Sequence, residues 1–166
     1  YKNPCALKDG KVIFANPKGL EKIEFFISTN KGEVPKPLSK IASGGEISRI
    51  MLTIKRLLGK KDKIPVFVFD EIDTGISGQI AQKVGIEMKK LSGEHQIISI
   101  THLPQIAALG DRLISIEKFE DVDKTIAKAQ IIEADKKKFE VAKLISGSEL
   151  SDSSIKSAEE LINIYE

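Results

Sequence analysis

The stretch Val66-Phe67-Val68-Phe69-Asp70-Glu71 decides the fold. Its four apolar residues follow one another without alternation, which is typical of a parallel β-strand buried on both faces. The two acids come at the carboxyl end of the strand, the edge where α/β sheets place their ligands. We therefore predict an α/β domain whose functional residues gather beyond this strand.

The two acids have a chemical and a purely structural interpretation. Asp70 can bind Mg²⁺, directly or through water, and Glu71 can polarise an attacking water. Alternatively, the strand simply ends in two hydrated carboxylates, which is common in α/β proteins. These residues alone leave both interpretations open.

The apolar spacing elsewhere predicts an alternation of strands and helices. Predicted strands cover 11–15, 22–28, 66–69, 96–100, 112–118 and 125–133, and predicted helices cover 46–58, 77–91, 104–109, 135–145 and 153–164. The first two strands are expected to be joined by a Pro17-Lys18-Gly19 turn and to be followed by a loop from Thr29 to Pro37. The order strand, helix, strand, helix in the middle indicates an α/β domain.

Length and composition set wide bounds. The chain has 166 residues, a formal net charge of +2 and one cysteine, Cys5. This length suits one domain over residues 1–166, and a single cysteine excludes an internal disulfide and fits a reducing compartment. We expect a cytoplasmic protein without a membrane span. Since Tyr1 is not an initiator methionine, we expect a piece of a longer protein, with a processed mature protein as the alternative.

A second motif, Ser43-Gly44-Gly45-Glu46, lies where the first long helix begins. Ser43 and Glu46 have the spacing of a capping box. Capping does not explain two consecutive glycines, because each destabilises a helix relative to alanine. Glycines at a helix N-terminus let a phosphate approach bare N–H groups. Both interpretations stay open.

The third candidate is His102, just after the predicted strand 96–100. If this strand neighbours the acid-ended strand, the imidazole lies near the acids, where it can bond a terminal phosphate or the attacking water. A lone histidine is more often structural.

Together and in order, these residues resemble the signature motif, Walker B strand, D-loop and H-loop of ABC ATPases. The narrower match is to one SMC-like, DNA-repair branch of that family, through Pro37–Arg49, Phe69–Gly78 and Thr101–Gln105. The resemblance implies the C-terminal lobe of an ABC/SMC-type P-loop NTPase head. Such a lobe has a mainly parallel sheet, flanking helices and short antiparallel strands.

The resemblance also implies a mechanism in which two heads form a homodimer around two ATP molecules and act in DNA double-strand-break repair near the nucleoid. The implied cofactors are ATP and Mg²⁺. The implied roles are general base for Glu71, Mg²⁺ binding for Asp70, γ-phosphate sensing for His102, bridging across the dimer for Asp73, and binding of the partner's nucleotide by Ser43, Gly44, Gly45 and Glu46.

One element of the family is missing from the sequence. No Gly-x-x-x-x-Gly-Lys-Ser/Thr phosphate loop occurs between Tyr1 and Glu166. In the family this loop lies in an N-terminal lobe, across a long coiled coil, so that lobe is an expected partner and this chain alone is predicted to bind ATP poorly. The alternatives are another SMC-like lobe, a DExD-type helicase matched by Asp70-Glu71-Ile72-Asp73, or a non-catalytic interaction domain.

Two lysine runs are candidate DNA contacts. They comprise Lys60, Lys61 and Lys63, and Lys136, Lys137 and Lys138. Lysines can neutralise DNA phosphates, but short runs are usually hydrated surface. The sequence leaves DNA binding by either run undecided.

Overall fold

The computed structural model describes residues 4–14, 19, 23–28, 31–40, 43–61, 63–121, 124–147 and 149–165. The chain divides into two compact units, Tyr1–Ala42 and Ser43–Glu166, which are treated separately below. A single domain over 1–166 stays a prediction.

The first hairpin contains a strand that was not predicted. Strand β1 (Pro4–Lys8) pairs antiparallel with β2 (Lys11–Phe14). Asp9 and Gly10 form the two-residue turn, with φ angles of 51° and 73°. Left-handed φ at both central positions matches the twist of the flanking strands, and Asp-Gly favours this turn. Most of the predicted turn at 17–19 lies outside the described residues.

Among the described residues, the rest of the first unit forms one small sheet. Strand β3 (Phe26–Ile27) pairs antiparallel with β4 (Lys36–Pro37), and a single 3₁₀ turn follows at Leu38–Lys40. The N–H of Leu38 donates to the carbonyl of Phe25 at 2.8 Å, which extends this pairing. The predicted loop 29–37 therefore contains a short strand at its end.

The second unit contains the predicted α/β core, followed by an antiparallel hairpin and two C-terminal helices. Its elements are α1 (Gly44–Leu58), β5 (Val66–Phe69), α2 (Gly78–Ser92), β6 (Gln96–Ser99), α3 (Pro104–Ala107), β7 (Leu113–Asp121), β8 (Lys124–Ile132), α4 (Lys137–Ser146) and α5 (Asp152–Ile162). Every helix and strand predicted in this region is confirmed, with ends shifted by a few residues. Strands β5 and β6 run parallel, and β7 and β8 form an antiparallel hairpin.

Helix ends follow the local chemistry of the sequence. Ser43 caps α1, and Gly59 ends it with a φ of 49°, a conformation open to glycine. Ser151 caps α5 with a second capping box. No helix among the described residues is long and apolar enough to cross a membrane.

Two apolar clusters stabilise the second unit. The larger lies where α1, α2 and α3 cover one face of the β5–β6 pair, and consists of Leu52, Phe69, Ile72, Met88, Leu91 and Ile106. The smaller joins α3 to α4 and α5 through Ala108, Val141, Ala142 and Ala158. The acid-bearing loop after β5 is anchored in the larger cluster, because Ile72 belongs to that loop.

Two parts of the predicted fold class are not found in the described residues. Four two-stranded sheets are present, of which β5–β6 alone is parallel, so a mainly parallel sheet is not seen. The prediction that β5 is buried on both faces is also wrong. Val68 is 63% exposed and Ile100, just after β6, is 57% exposed, because the helices cover only the other face.

The core assignment predicts a sharp contrast between two leucines. Leu91→Ala removes a side chain that is 1% exposed and should lower the free energy of unfolding by about 2–5 kcal/mol. Leu57→Ala on α1 is the control, since Leu57 is 83% exposed and should change it by about 0.5 kcal/mol or less. Denaturant titration measures both, and equal effects would contradict the assignment.

Candidate functional site

Three segments meet at the carboxyl edge of β5 and β6: the start of α1, the loop 70–75 after β5, and residues 101–103 after β6. Because β5 and β6 are parallel neighbours, their carboxyl ends lie side by side. The N–H of Ile100 donates to the carbonyl of Phe69 at 3.0 Å and continues the pairing to this edge. The structure thus brings all three sequence motifs together.

The start of α1 has the predicted capping box. The N–H of Glu46 lies 3.4 Å from Ser43 Oγ, and the N–H of Ser43 donates to Glu46 Oε2 at 3.0 Å. The Glu46 carboxylate therefore serves the helix start itself. Nucleotide binding by Ser43 and Glu46 stays a prediction beside this structural role.

The two glycines have a steric reason that sequence reasoning did not supply. Gly45 is buried, and a Cβ there would lie 2.7 Å from the carbonyl oxygen of Glu71 and 3.0 Å from that of Thr74. A Cβ on the exposed Gly44 would collide with the Glu71 carboxylate. The absence of a side chain at Gly45 lets the acid loop pack on the first turn of α1, whereas at Gly44 the close contact is with the flexible Glu71 side chain.

Two polar residues of α1 hold that loop by its backbone. Ser48 Oγ donates to the Asp70 carbonyl at 3.1 Å. Arg49 Nη1 donates to the carbonyls of Ile72 at 3.0 Å and Thr74 at 2.9 Å. Neither residue was assigned a role from the sequence. Their position, beside the apolar stripe of the helix and one turn after the glycines, is the signal that could have identified them.

The acids themselves lie exposed on a constrained backbone. Glu71 has a φ of 57°, a left-handed conformation that costs a non-glycine residue about 1–3 kcal/mol. Its N–H donates to Asp70 Oδ1 at 2.9 Å, and its carbonyl accepts from the N–H of Thr74 at 3.0 Å. The contacts with α1 fix this conformation and direct Glu71 toward the exposed Gly44.

Asp73 lies inward, unlike the other two acids of the loop. One oxygen, Oδ2, accepts from Thr101 Oγ1 at 2.7 Å and from the N–H of His102 at 3.0 Å, and lies 3.1 Å from His102 Nδ1. Burial raises the pKa of Asp73, but the hydrogen bond from Thr101, the one from the His102 N–H and the nearby imidazole together hold that pKa below its usual value. Bridging to a second head would require the carboxylate to leave these partners, and it stays a prediction.

The residues fit one side of a Mg²⁺–nucleotide site. Among the described residues no three His, Cys, Asp or Glu side chains form a group able to hold a metal ion. Mg²⁺ is commonly bound by one or two carboxylates together with waters and phosphates. The exposed Asp70 can supply one such ligand, with waters and phosphate oxygens as the others.

The second lysine run is occupied within the chain. Lys136 pairs with Glu133 at 3.1 Å and Lys138 with Glu159 at 2.8 Å. Lys137 Nζ donates to the Gly110 carbonyl at 2.7 Å. DNA contact by these lysines would compete with bonds already made, and DNA binding by either run stays undecided.

Curated proteins similar to this chain are DNA repair proteins. DNA repair protein RecN of Bacillus subtilis (strain 168) and RecN of Halalkalibacterium halodurans are each 38% identical over 156 residues, which is 94% of this chain and 27% of those proteins. RecN of Rickettsia bellii is 44% identical over 144 residues, which is 87% of this chain and 26% of that protein. The chain thus spans about a quarter of the length of these relatives. No protein-family model matches it.

A weaker likeness exists to a solved structure described as "Structural biochemistry of ATP-driven dimerization and DNA stimulated activation of SMC ATPases". It covers 71% of this chain and 70% of that one, with 24% sequence identity and a TM-score of 0.49. This likeness is too low to support a statement about function.

The glycine packing predicts opposite outcomes for neighbouring substitutions. Gly45→Ala should lower the free energy of unfolding by about 1–3 kcal/mol, because its Cβ meets two backbone carbonyls that cannot move separately. Gly44→Ala should be neutral or stabilising, because the Glu71 side chain can rotate away and alanine favours a helix by up to about 1 kcal/mol. Thermal and denaturant melts compare them, and a stabilising Gly45→Ala would disprove the packing argument.

Proposed function

Because this chain is a RecN relative along about nine tenths of its length, we propose that it forms the C-terminal lobe of an ATPase head in an SMC-like protein of DNA double-strand-break repair. The observation that carries the proposal is the meeting of the Ser43–Glu46 helix start, the Asp70–Asp73 loop and His102 at one sheet edge. In the complete head these segments supply the signature motif, Walker B, D-loop and H-loop.

The proposed roles follow the exposure of each side chain. Glu71, exposed at the strand end, is the general base that polarises the attacking water, and His102 contacts the γ-phosphate. Asp70 orders Mg²⁺, which supplies neutralisation of the charge that develops on phosphoryl oxygens. The exposed start of α1, at Ser43 and Gly44, faces the nucleotide of a second head.

The proposed partner inside the head is a lobe that carries the phosphate loop. Two features beside β6 support it. The open face of the β5–β6 pair exposes Val68 and Ile100. A cavity of about 350 Å³ beside β6 is lined by His95 and Ser99, whose Nε2 and Oγ are buried without a hydrogen-bond partner among the described residues. Another strand paired with β6 would extend the sheet and offer polar partners, and a layer packed on the open face would cover Val68 and Ile100.

In the whole protein, two heads dimerise around ATP. ATP binding closes the heads and hydrolysis opens them. The full-length protein engages DNA in the cytoplasm, at the nucleoid. A helicase of the DExD type would leave the glycine packing of α1 against the acid loop unexplained. A non-catalytic interaction domain would share the geometry and differ only in turnover.

The first test uses Glu71 in a complete head, made by joining this chain to the phosphate-loop lobe of a RecN relative. We expect negligible ATPase activity from the chain alone and measurable turnover from the head. Glu71→Gln should then lower kcat by roughly 10²-fold or more while ATP binding is retained, because a positioned base is lost. Glu160→Gln, on the exposed face of α5, is the control. Parental turnover in Glu71→Gln would refute the assigned base.

The second test separates capping from phosphate contact at Ser43. Ser43→Ala and Ser43→Arg both remove the cap, at a cost of about 1 kcal/mol, but only arginine adds bulk at the proposed phosphate gap. We expect Ser43→Arg to block ATP-dependent dimerisation, measured by light scattering, and Ser43→Ala to permit it. Ser151→Arg removes the equivalent cap of α5 and should not affect dimerisation. Normal dimerisation of Ser43→Arg would reduce the motif to a helix cap.

A further inference from the structure

His102 is exposed but not loosely held. Its side chain is 77% exposed, while its backbone N–H and its ring nitrogen Nδ1 both lie within about 3 Å of the same buried oxygen, Asp73 Oδ2. The same oxygen also accepts from Thr101 Oγ1, the residue before it. One carboxylate thus anchors both the main chain and the ring of the histidine.

The chemistry of the carboxylate decides which ring nitrogen carries the proton. An ionised carboxylate only accepts hydrogen bonds, and the lowered pKa of Asp73 keeps it ionised near neutral pH. Neutral imidazole carries its proton on either Nδ1 or Nε2. With the proton on Nε2, the lone pair of Nδ1 would face the carboxylate charge at 3.1 Å. The favourable arrangement places the proton on Nδ1, and the hydrogen bond made by one nitrogen determines the state of the other.

We propose that Asp73 is a positioning residue for His102, holding the neutral imidazole in its Nδ1–H tautomer and presenting Nε2, as an acceptor, at the carboxyl edge of β5 and β6. Nε2 can then accept a hydrogen bond from a water molecule. After protonation, the same atom can donate to a phosphate oxygen without rotation of the ring. The tautomer itself does not depend on the proposed function. Only the identity of the group that Nε2 contacts, a water molecule or a phosphate oxygen, rests on it.

Asp73 is itself fixed from both sides. Ile72, the preceding residue, is fully buried in the larger apolar cluster and its carbonyl accepts from Arg49. Thr101 Oγ1, besides donating to Asp73, accepts from the N–H of Leu103 at 3.0 Å. The position of the carboxylate is therefore set by α1 on one side and by the turn after β6 on the other. This role competes with bridging across a dimer, because the carboxylate is buried and its Oδ2 already makes three contacts with the residues after β6.

The test is the tautomer of His102, read from the ¹⁵N NMR shifts of both ring nitrogens in this chain, at a pH where the imidazole is neutral. We expect Nδ1 of His102 in the protonated range and Nε2 in the unprotonated range. In Asp73→Asn the two tautomers should mix, because the amide offers both a donor and an acceptor to Nδ1. In Thr101→Val, where the carboxylate is kept, the Nδ1–H tautomer should persist.

The second histidine is an internal reference. His95 Nδ1 lies 2.8 Å from the Ile64 carbonyl, which can only accept, so its Nδ1–H tautomer should be the same in all variants. An Nε2–H tautomer of His102 in the parent chain would overturn the proposal. So would an unchanged Nδ1–H signal in a folded Asp73→Asn, with folding judged by the His95 signal. The parent and Thr101→Val spectra decide the question if Asp73→Asn does not fold. No nucleotide is present, so this result is independent of whether the complete head hydrolyses ATP.

Discussion

The packing of the 70–74 loop on the first turn of α1 is the constraint on which the rest of the site depends. It exists because Gly45 has no side chain and because Arg49 donates to two carbonyls of the loop. With the loop held there, Ile72 enters the apolar core and Asp73 reaches the residues after β6. The same packing holds Glu71 in a left-handed conformation that a free loop would leave.

This constraint joins the chemistry of the site to its stability. Glu71 stays exposed and strained because its neighbours Ile72 and Asp73 gain burial and hydrogen bonds, which offsets a local cost of about 1–3 kcal/mol. A displacement of α1 would act first on the Arg49 bonds, then on the loop, and through Asp73 on His102. The proposed nucleotide contact at α1 and the proposed catalytic groups are thus mechanically connected within one chain, through contacts shorter than 3.2 Å.

The sequence predicted the second unit well, because its signals are local. Helical periodicity, the capping box at Ser43 and the apolar run before Asp70 each specify structure within a few residues. What it missed depends on distant partners. One local signal was also missed, since Asp9-Gly10 forms a hairpin turn with a left-handed φ at both residues. Burial of β5 on both faces was wrong because an apolar run does not reveal whether this chain itself supplies both covering layers. The role of Gly45 needed the loop that lies 26 residues away at Glu71.

The open sheet face and the site both belong to the β5–β6 pair. A pair of four-residue strands is marginal without further strands or covering helices, and here the helices cover one side only. Thr101 and His102 follow directly from β6, so any strand that pairs along β6 would also steady the backbone that carries the imidazole. The proposed phosphate-loop lobe, if it paired with β6, would therefore also stabilise the strand that orients His102. A ligand that binds only the joined lobes stabilises the joined state by mass action. Under the proposed function, ATP binding and pairing along β6 would be thermodynamically linked for that reason.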